Sequence, residues 1–368
     1  MDQETLLDEV QLALTHGIGS VLIERLLERF GSASNALSAS PVELCEVPGI
    51  GLSVSRNLRD PEFRQQVRQT LEFCDSCGVQ VLLPHDPSFP RLLREIVDPP
   101  TILFVRGQLL ARDSLSVAIV GTRSASQYGR FQTGRFARCL SRAGLTIVSG
   151  LARGIDAAAH QAVLEAQGRT LAVLSSGVTE VYPPQHQPLA ECIEASGAVL
   201  SEMPPGTKPK RGMFPRRNRL ISGLCLATLV IEAGERSGAL ITARVAGEQG
   251  REVFALPGMV SSPNARGCHQ LIRDGAVLVQ DPEDVLDALG PLVESTELSS
   301  GQTVRNALEL QLNEQETAVL QAISVEPVNI DSVIVACGLP VSRVLSTLSV
   351  LEMRRLVRRT GGNAVQRV

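Results

Sequence analysis

The segment GTKPKRGMFPRRNRLIS, running from Gly206 to Ser222, carries six basic residues (Lys208, Lys210, Arg211, Arg216, Arg217 and Arg219) and no acidic one, in a chain whose formal net charge is −4. Phe214 interrupts the run, and the only two tyrosines of the chain, Tyr128 and Tyr182, fall in loops expected beside it. Cations interleaved with rings suit a single-stranded nucleic acid, because charge follows the phosphate backbone while rings stack on bases. A solvated charge run and ordinary ring packing are the plainer readings of each residue taken alone. The coincidence of three rings with one basic loop favours the nucleic acid.

Other residues could do chemistry of a different kind. GIDAAAH places Asp156 and His160 four residues apart on one helix face, a spacing that suits an acid–base pair. The same spacing also suits an Asp that complements the helix dipole and holds the histidine. Glu202 and Glu232 follow expected strands at the same edge. Cys74 and Cys77 of CDSC have no second pair and no Cys/His partner at zinc spacing. GTRSAS after the first glycine-ended strand is not a G-x-G-x-x-G fingerprint, and no G-K-[ST] occurs, which argues against NAD and ATP chemistry. No catalytic residue, metal or cofactor is therefore expected. What remains still suits phosphate: Gly121 and Gly150 end strands, Gly154 opens a helix, and Arg123 sits in the first turn. Amides in glycine loops and at helix N-termini attract anions, and an arginine fork binds phosphate in two places.

These groups need elements to hold them. LSVAIVGTR, LTIVSGLARGID, TLAVLSSGV, ATLVIEAGERSG and REVFALPG are short apolar runs that end in glycine, most of them separated by amphipathic helical stretches. That is the pattern of buried parallel strands joined by right-handed crossovers, with their glycine loops at one edge of an α/β sheet. Ligands bind at that carboxyl edge. The basic segment follows a short expected strand, AVLSE, and leads into a helix starting near Phe214. Upstream, THGIGSVLIERLLERFGS and ELCEVPGIGLSVSRNLRD each place a Gly-Ile-Gly turn before an amphipathic helix, as in helix-hairpin-helix units. Downstream, LNEQETAVLQAI, NIDSVIVACGL and PVSRVLSTLSVLEMRR read as three helices, and LVRRTGGNAVQRV as a hairpin around Gly361, Gly362 and Asn363, together a winged-helix pattern. The expected organisation is a helical domain at 1–70, an extended Rossmann-like, mostly parallel core at 71–292, a polar linker at 293–312 and a winged helix at 313–368.

Composition agrees with this frame. A chain of 368 residues with 43% apolar content is too long for one compact domain, and 3% aromatics with no Trp leave the core to aliphatic side chains. Eight cysteines scattered through apolar segments read as reduced core thiols. The acidic start MDQETLLDEV has no apolar stretch typical of a secretion signal, and no run approaches the roughly 18 apolar residues of a membrane span, so a cytoplasmic protein is expected.

AIVGTRSASQYG, SGLARGIDAAAH, FPRRNRLISGL, VIEAGERSGALITA and REVFALPG, in this order over roughly residues 95–285, together resemble the DprA (Smf) family of DNA-processing proteins of natural transformation. The resemblance implies a Rossmann-like core that binds single-stranded DNA, dimerises, loads the RecA recombinase and counters single-strand-binding protein. It places the family's G-S-R motif on Gly121, Thr122 and Arg123, and its F-P-x-R-N-R motif on Phe214, Pro215, Arg217, Asn218 and Arg219, with Arg211 where a basic residue often precedes. The E-A-x-x-x-S-G-x-L-I-T-A motif falls on Glu232, Ala233, Ser237, Gly238, Leu240, Ile241, Thr242 and Ala243. The DNA-binding set expected is Gly121, Thr122, Arg123, Gly150, Gly154, Lys210, Arg211, Phe214, Arg216, Arg217, Asn218 and Arg219, with Arg123 and Arg217 exposed. Two departures are Thr122 for the usual Ser and His269 for the usual Asn.

A rival reading is a nucleotide-binding or nucleotide-cleaving enzyme of phosphoribohydrolase type, with Glu232 as acid or base, although the chain lacks the P-G-G-x-G-T loop of such enzymes. After Glu352 the sequence has no acidic residue, while Arg354, Arg355, Arg358, Arg359 and Arg367 are basic. This tail suits either a phosphate backbone or a protein contact.

Overall fold

The structure is a computed structural model, which describes residues 2–289, 291–297, 303–306, 309, 312–354, 356–360 and 363–368. Six helices come first: α1 (Gln3–Leu14), α2 (Ser20–Phe30), α3 (Ala33–Ser38), α4 (Pro41–Cys45), α5 (Leu52–Leu58) and α6 (Pro61–Ser76). Gly19 and Gly51 are the N-cap residues of α2 and α5, where the two Gly-Ile-Gly turns were expected to open helices. The two units lock reciprocally. A Cβ on Gly17 would lie 3.1 Å from Val54 of α5, and one on Gly49 would lie 2.9 Å from Leu22 of α2.

The core follows as β1 (Gln80–Leu82), α7 (Arg91–Arg94), β2 (Leu103–Gly107), β3 (Ser116–Val120), α8 (Gln127–Arg142), β4 (Thr146–Ser149), α9 (Ile155–Glu165), β5 (Thr170–Val173), α10 (Gln187–Ser196), β6 (Ala198–Ser201), α11 (Met213–Gly223), β7 (Ala227–Val230), α12 (Gly238–Glu248), β8 (Glu252–Ala255), α13 (Arg266–Arg273), β9 (Val277–Leu278) and α14 (Pro282–Leu289). Its nine strands lie in the order β1-β2-β6-β5-β4-β3-β7-β8-β9. All neighbours from β6 to β9 are parallel, and β2 pairs antiparallel with both β1 and β6. β3 to β7 are buried along their whole length, which is why they read as continuous apolar runs rather than alternating ones. The pleat still divides them: Val117 and Ile119 pack under α8 and α9, whereas Ala118 and Val120 pack under α11 and α12. With helices on both faces, only the strand ends are free to present a site.

An antiparallel pair of strands, β10 (Pro291–Glu297) and β11 (Thr303–Asn306), overlaps residues 293–312, the expected linker. Polar composition marked the segment as non-core, and it cannot separate a linker from a two-stranded ladder. The last elements are α15 (Glu314–Gln321), β12 (Val328–Asn329), α16 (Ile330–Cys337), α17 (Val341–Met353), β13 (Val357–Thr360) and β14 (Ala364–Arg367). They form a winged helix in which β12 adds a third strand to the expected hairpin. Gly361 and Gly362 of its turn, and Arg355, lie outside the described residues. Among the described residues no single helix is long and apolar enough to cross a membrane.

Candidate nucleic-acid interface

The loops after β3, β4 and β5 meet the start of α11 at the carboxyl edge of the sheet, around a cleft of about 290 Å³. Arg123, Gly150, Arg153, Tyr182 and Phe214 line it, with Ser175 and Ser176. The Arg123 guanidinium carbon lies 5.1 Å from the centre of the Phe214 ring, and Tyr182 meets that ring edge-on at 5.8 Å and 62°. A cation held on a ring's face and a second ring against its edge are both favourable arrangements of the aromatic quadrupole. They also leave ring surface open toward the cleft, with Tyr182 46% exposed.

Two devices place Arg123. Glu232, at the end of β7, accepts from the Ser126 amide at 2.9 Å and from the Ser126 hydroxyl at 2.6 Å. Ser126 Oγ in turn accepts from Gly129 N and so caps α8. The loop 121–126 is thereby anchored at its far end. At the near end it touches the β4–α9 loop at Gly154. There φ is +81°, and a Cβ would lie 2.3 Å from the Thr122 carbonyl oxygen, so only glycine fits. Both oxygens of Glu232 take part in this anchoring.

Several expected positions are corrected. Arg217 is 6% exposed, not solvent-facing. Its Nη1 donates to the Gly150 carbonyl at 2.8 Å and to the Val173 carbonyl, bridging the ends of β4 and β5 beneath the cleft. The reason is helical periodicity: Arg217, Leu220, Ile221 and Leu224 form the buried stripe of α11 and its C-cap, while Arg216 points out. Burial lowers the Arg217 pKa to about 10, against the favourable field of Asp156, so it stays charged at neutral pH. Burial raises the Asp156 pKa, with Arg217 opposing. Arg219 is held by Glu202 at 2.5 Å and Asp98 at 3.0 Å, and its side chain is 11% exposed. Asn218 reaches Gly238 O at 3.4 Å, toward α12. Neither Asn218 nor Arg219 lines the cleft. Arg216 is exposed and pairs with Glu202 at 2.9 Å.

The cations on the loops beside the cleft are placed differently. Arg123, Arg153, Lys208, Lys210 and Arg211 are exposed, and none has an ion-pair partner among the described residues. Tyr128 does not join the other rings. It lies in the first turn of α8, and its hydroxyl donates to Pro257 O at 2.9 Å, past β3 on the side of β7 and β8. Nor do Asp156 and His160 form a pair. His160 is fully buried and donates from Nδ1 to Thr170 Oγ1 at 2.7 Å, since the Thr170 hydroxyl itself donates to Ile147 O. Burial lowers the His160 pKa to about 3, so the ring is neutral and cannot serve as an acid near neutral pH. His269, the departure from Asn, donates from Nε2 to Gly258 O at 3.0 Å.

Burial pushes the Cys74 thiol up to about 12, and no group of three His, Cys, Asp or Glu side chains suited to a metal occurs among the described residues. Among the described residues of the basic C-terminal tail, Arg354 pairs with Glu316 at 3.3 Å, Arg359 with Glu352 at 3.3 Å, and Arg367 with Glu309. Arg153, Ser175 and Ser176 are among the cleft residues that the sequence did not single out, although Arg153 stands inside SGLARGID between two glycines.

The family model described as DNA recombination-mediator protein A matches residues 80–290, and that of the DprA winged helix domain matches residues 304–363. Protein Smf of Synechocystis sp. is 38% identical over 381 residues, covering 95% of this chain and 96% of the relative. Protein Smf of Escherichia coli is 41% identical over 77% of each chain. The X-ray structure of DNA processing protein A from Streptococcus pneumoniae aligns with a TM-score of 0.66 at 34% identity, covering 77% of this chain and 97% of that one. A structure of the Helicobacter pylori protein, reported for its single-stranded DNA binding mode, aligns with a TM-score of 0.52 at 28% identity over 57% of this chain and 95% of that one.

Proposed function

Because this chain belongs to the DprA/Smf family of DNA recombination-mediator proteins, we propose that it is a non-enzymatic single-stranded DNA binder that protects incoming strands in the cytoplasm and loads RecA onto them during natural transformation. The observation that carries the reading is the stack of Arg123, Phe214 and Tyr182 in a cleft whose neighbouring cations are not neutralised. Bases stack on the rings, and phosphates are held by Arg123, Arg153, Lys208, Lys210 and Arg211. Thr122 and the Gly121, Gly150 and Gly154 backbones shape the floor, with Arg216 at its margin. By the same family resemblance the protein acts as a homodimer and in competition with single-strand-binding protein. The winged helix is a protein contact rather than a DNA contact. Three of its tail arginines are ion-paired, and Val335, Val341, Leu345 and Met353 are exposed on α16 and α17.

The test is fluorescence anisotropy of a labelled oligonucleotide, single-stranded against duplex, at low and near-physiological salt. The expected result is salt-dependent preference for the single strand, weakened at least tenfold by Arg123→Glu, followed by RecA loading in a strand-exchange assay. Binding only to duplex, or wild-type affinity in Arg123→Glu, overturns the reading. Release of free base from nucleoside monophosphates, abolished by Glu232→Gln, would favour the nucleotide-cleaving alternative instead.

A further inference from the structure

Gly150 and Leu151 form the turn at the end of β4 on which the cleft is floored. Leu151 adopts φ +56°, in the left-handed region that a branched, bulky side chain rarely enters, and it is fully buried. The only other described non-glycine residue at positive φ is Gln167, just past the C-terminus of α9, where that conformation is ordinary. A strained residue persists at such a place only if its surroundings hold it there.

The surroundings here are two clamps. Arg217 Nη1 donates to the Gly150 carbonyl at 2.8 Å, and His186 Nδ1 donates to the Leu151 carbonyl at 2.8 Å. Because the Leu151 oxygen can only accept, His186 carries its proton on Nδ1. Each clamp stands on a wall of the cleft, a few residues along the chain from that wall's ring. Arg217 is three residues after Phe214 on α11, and His186 is four residues after Tyr182 in the β5–α10 connection. Asp156 completes the arrangement, accepting from the Ala152 amide at 3.4 Å. Neither His186 nor Arg217 lines the cleft itself.

We propose that His186 and Arg217 are positioning residues for the single-strand site: each ties the wall that carries a ring to the strained floor, so the separation of Tyr182 from Phe214 is set by hydrogen bonds to two consecutive carbonyls. The inference rests on the single-stranded DNA reading for its effect on affinity. Its geometric part does not depend on that reading.

His186 is the test position, because it is half-buried in a connection and its removal leaves the core stripe of α11 untouched. In His186→Ala the oligonucleotide affinity falls about tenfold, the scale of one lost hydrogen bond, mainly through faster dissociation, while the melting temperature stays within a few degrees of the parent. His186→Asn restores affinity, since its amide nitrogen is attached at the same depth as Nδ1; His186→Gln restores it less. The chain has no Trp and two Tyr, so in a Tyr128→Phe background the intrinsic fluorescence reports Tyr182 alone. Its anisotropy decays faster in His186→Ala without any DNA present, and recovers in His186→Asn. Unchanged Tyr182 anisotropy in His186→Ala overturns the clamp, as does an affinity loss that Asn fails to rescue. If the parent binds no single strand while the Tyr182 signal responds as described, the DNA reading fails and the clamp stands.

Discussion

Arg217→Glu separates a buried brace from a surface contact, and its cost can be worked from the geometry. Arg217 is 6% exposed and donates to two main-chain carbonyls, bonds worth about 1.5–3 kcal/mol each when the donor is charged. Removing it also takes away the cation that opposes the burial of the Asp156 carboxylate. Some of this is offset. Holding the guanidinium out of water lowers its pKa from 12.5 to about 10, so roughly 3 kcal/mol of burial cost disappears with the side chain. For Arg217→Met the balance is a loss of about 1–3 kcal/mol. Arg217→Glu adds a second buried carboxylate facing two carbonyl oxygens and Asp156, which brings the loss to the 3–5 kcal/mol typical of a broken buried pair, or beyond it. For a domain of this size each kcal/mol lowers the melting temperature by about 2–4 °C, so the glutamate variant should melt roughly 10 °C lower. Circular dichroism melts of Arg217→Met, Arg217→Glu and Arg123→Glu measure this side by side, with Arg123→Glu expected to melt like the parent because its side chain is exposed. If Arg217→Glu kept the parent melting temperature and lost only DNA binding, Arg217 would face solvent in solution and the brace would be wrong.

Further outcomes follow from the same geometry. His160, with a folded pKa near 3 against about 6.5 unfolded, contributes stability that is fully present above pH 6.5 and is lost as pH falls toward 3, about 4–5 kcal/mol in all. Asp156, whose pKa is raised, works with the opposite sign at the acid end; urea melts between pH 4 and 7 should show the histidine slope, and His160→Asn should flatten it. Phe214→Ala should cost about 1–3 kcal/mol of single-strand affinity with little change in duplex affinity, read by the same anisotropy assay. Gly154→Ala should lose about 1–3 kcal/mol of stability and weaken binding, because its Cβ meets Thr122 O and the β3 and β4 loops must part; unchanged melting would show that the loops have slack.

The strands of the core were readable because burial on both faces makes them continuous apolar runs, and glycine marks where each one reaches the edge. The left-to-right order was not readable, since β7 lying beside β3 is a consequence of crossovers that no local pattern records. Within the basic segment the failure was different. The stripe 217, 220, 221, 224 is visible in the sequence, and reading it at helical period would have buried Arg217. Charge alone points Arg217 outward, while its position in the stripe points it inward. His186 carried no signal: one histidine in a proline-rich connection gains its meaning only from the Leu151 carbonyl, 35 residues away in sequence.

A net charge of −4 and a cation-lined cleft are compatible because acids and cations are not distributed alike. Glu202 is shared by Arg216 and Arg219, Asp98 adds to Arg219, and Asp113 holds the buried Arg169 at 2.5 Å. Arg169 and Arg219 are largely buried, where pairing is the condition for burial, whereas Arg216 reaches Glu202 from the exposed face of α11. On the loops around the cleft, Arg123, Arg153, Lys208, Lys210 and Arg211 are exposed and have no carboxylate partner among the described residues. At physiological salt a charge is felt over roughly 8 Å, so a phosphate entering the cleft responds to the cations beside it more than to distant acidic residues. Under the proposed reading, the sign of the whole chain limits nonspecific adhesion, while the grouping of unpaired cations with the two rings of the cleft, which composition cannot express, holds the polyanion.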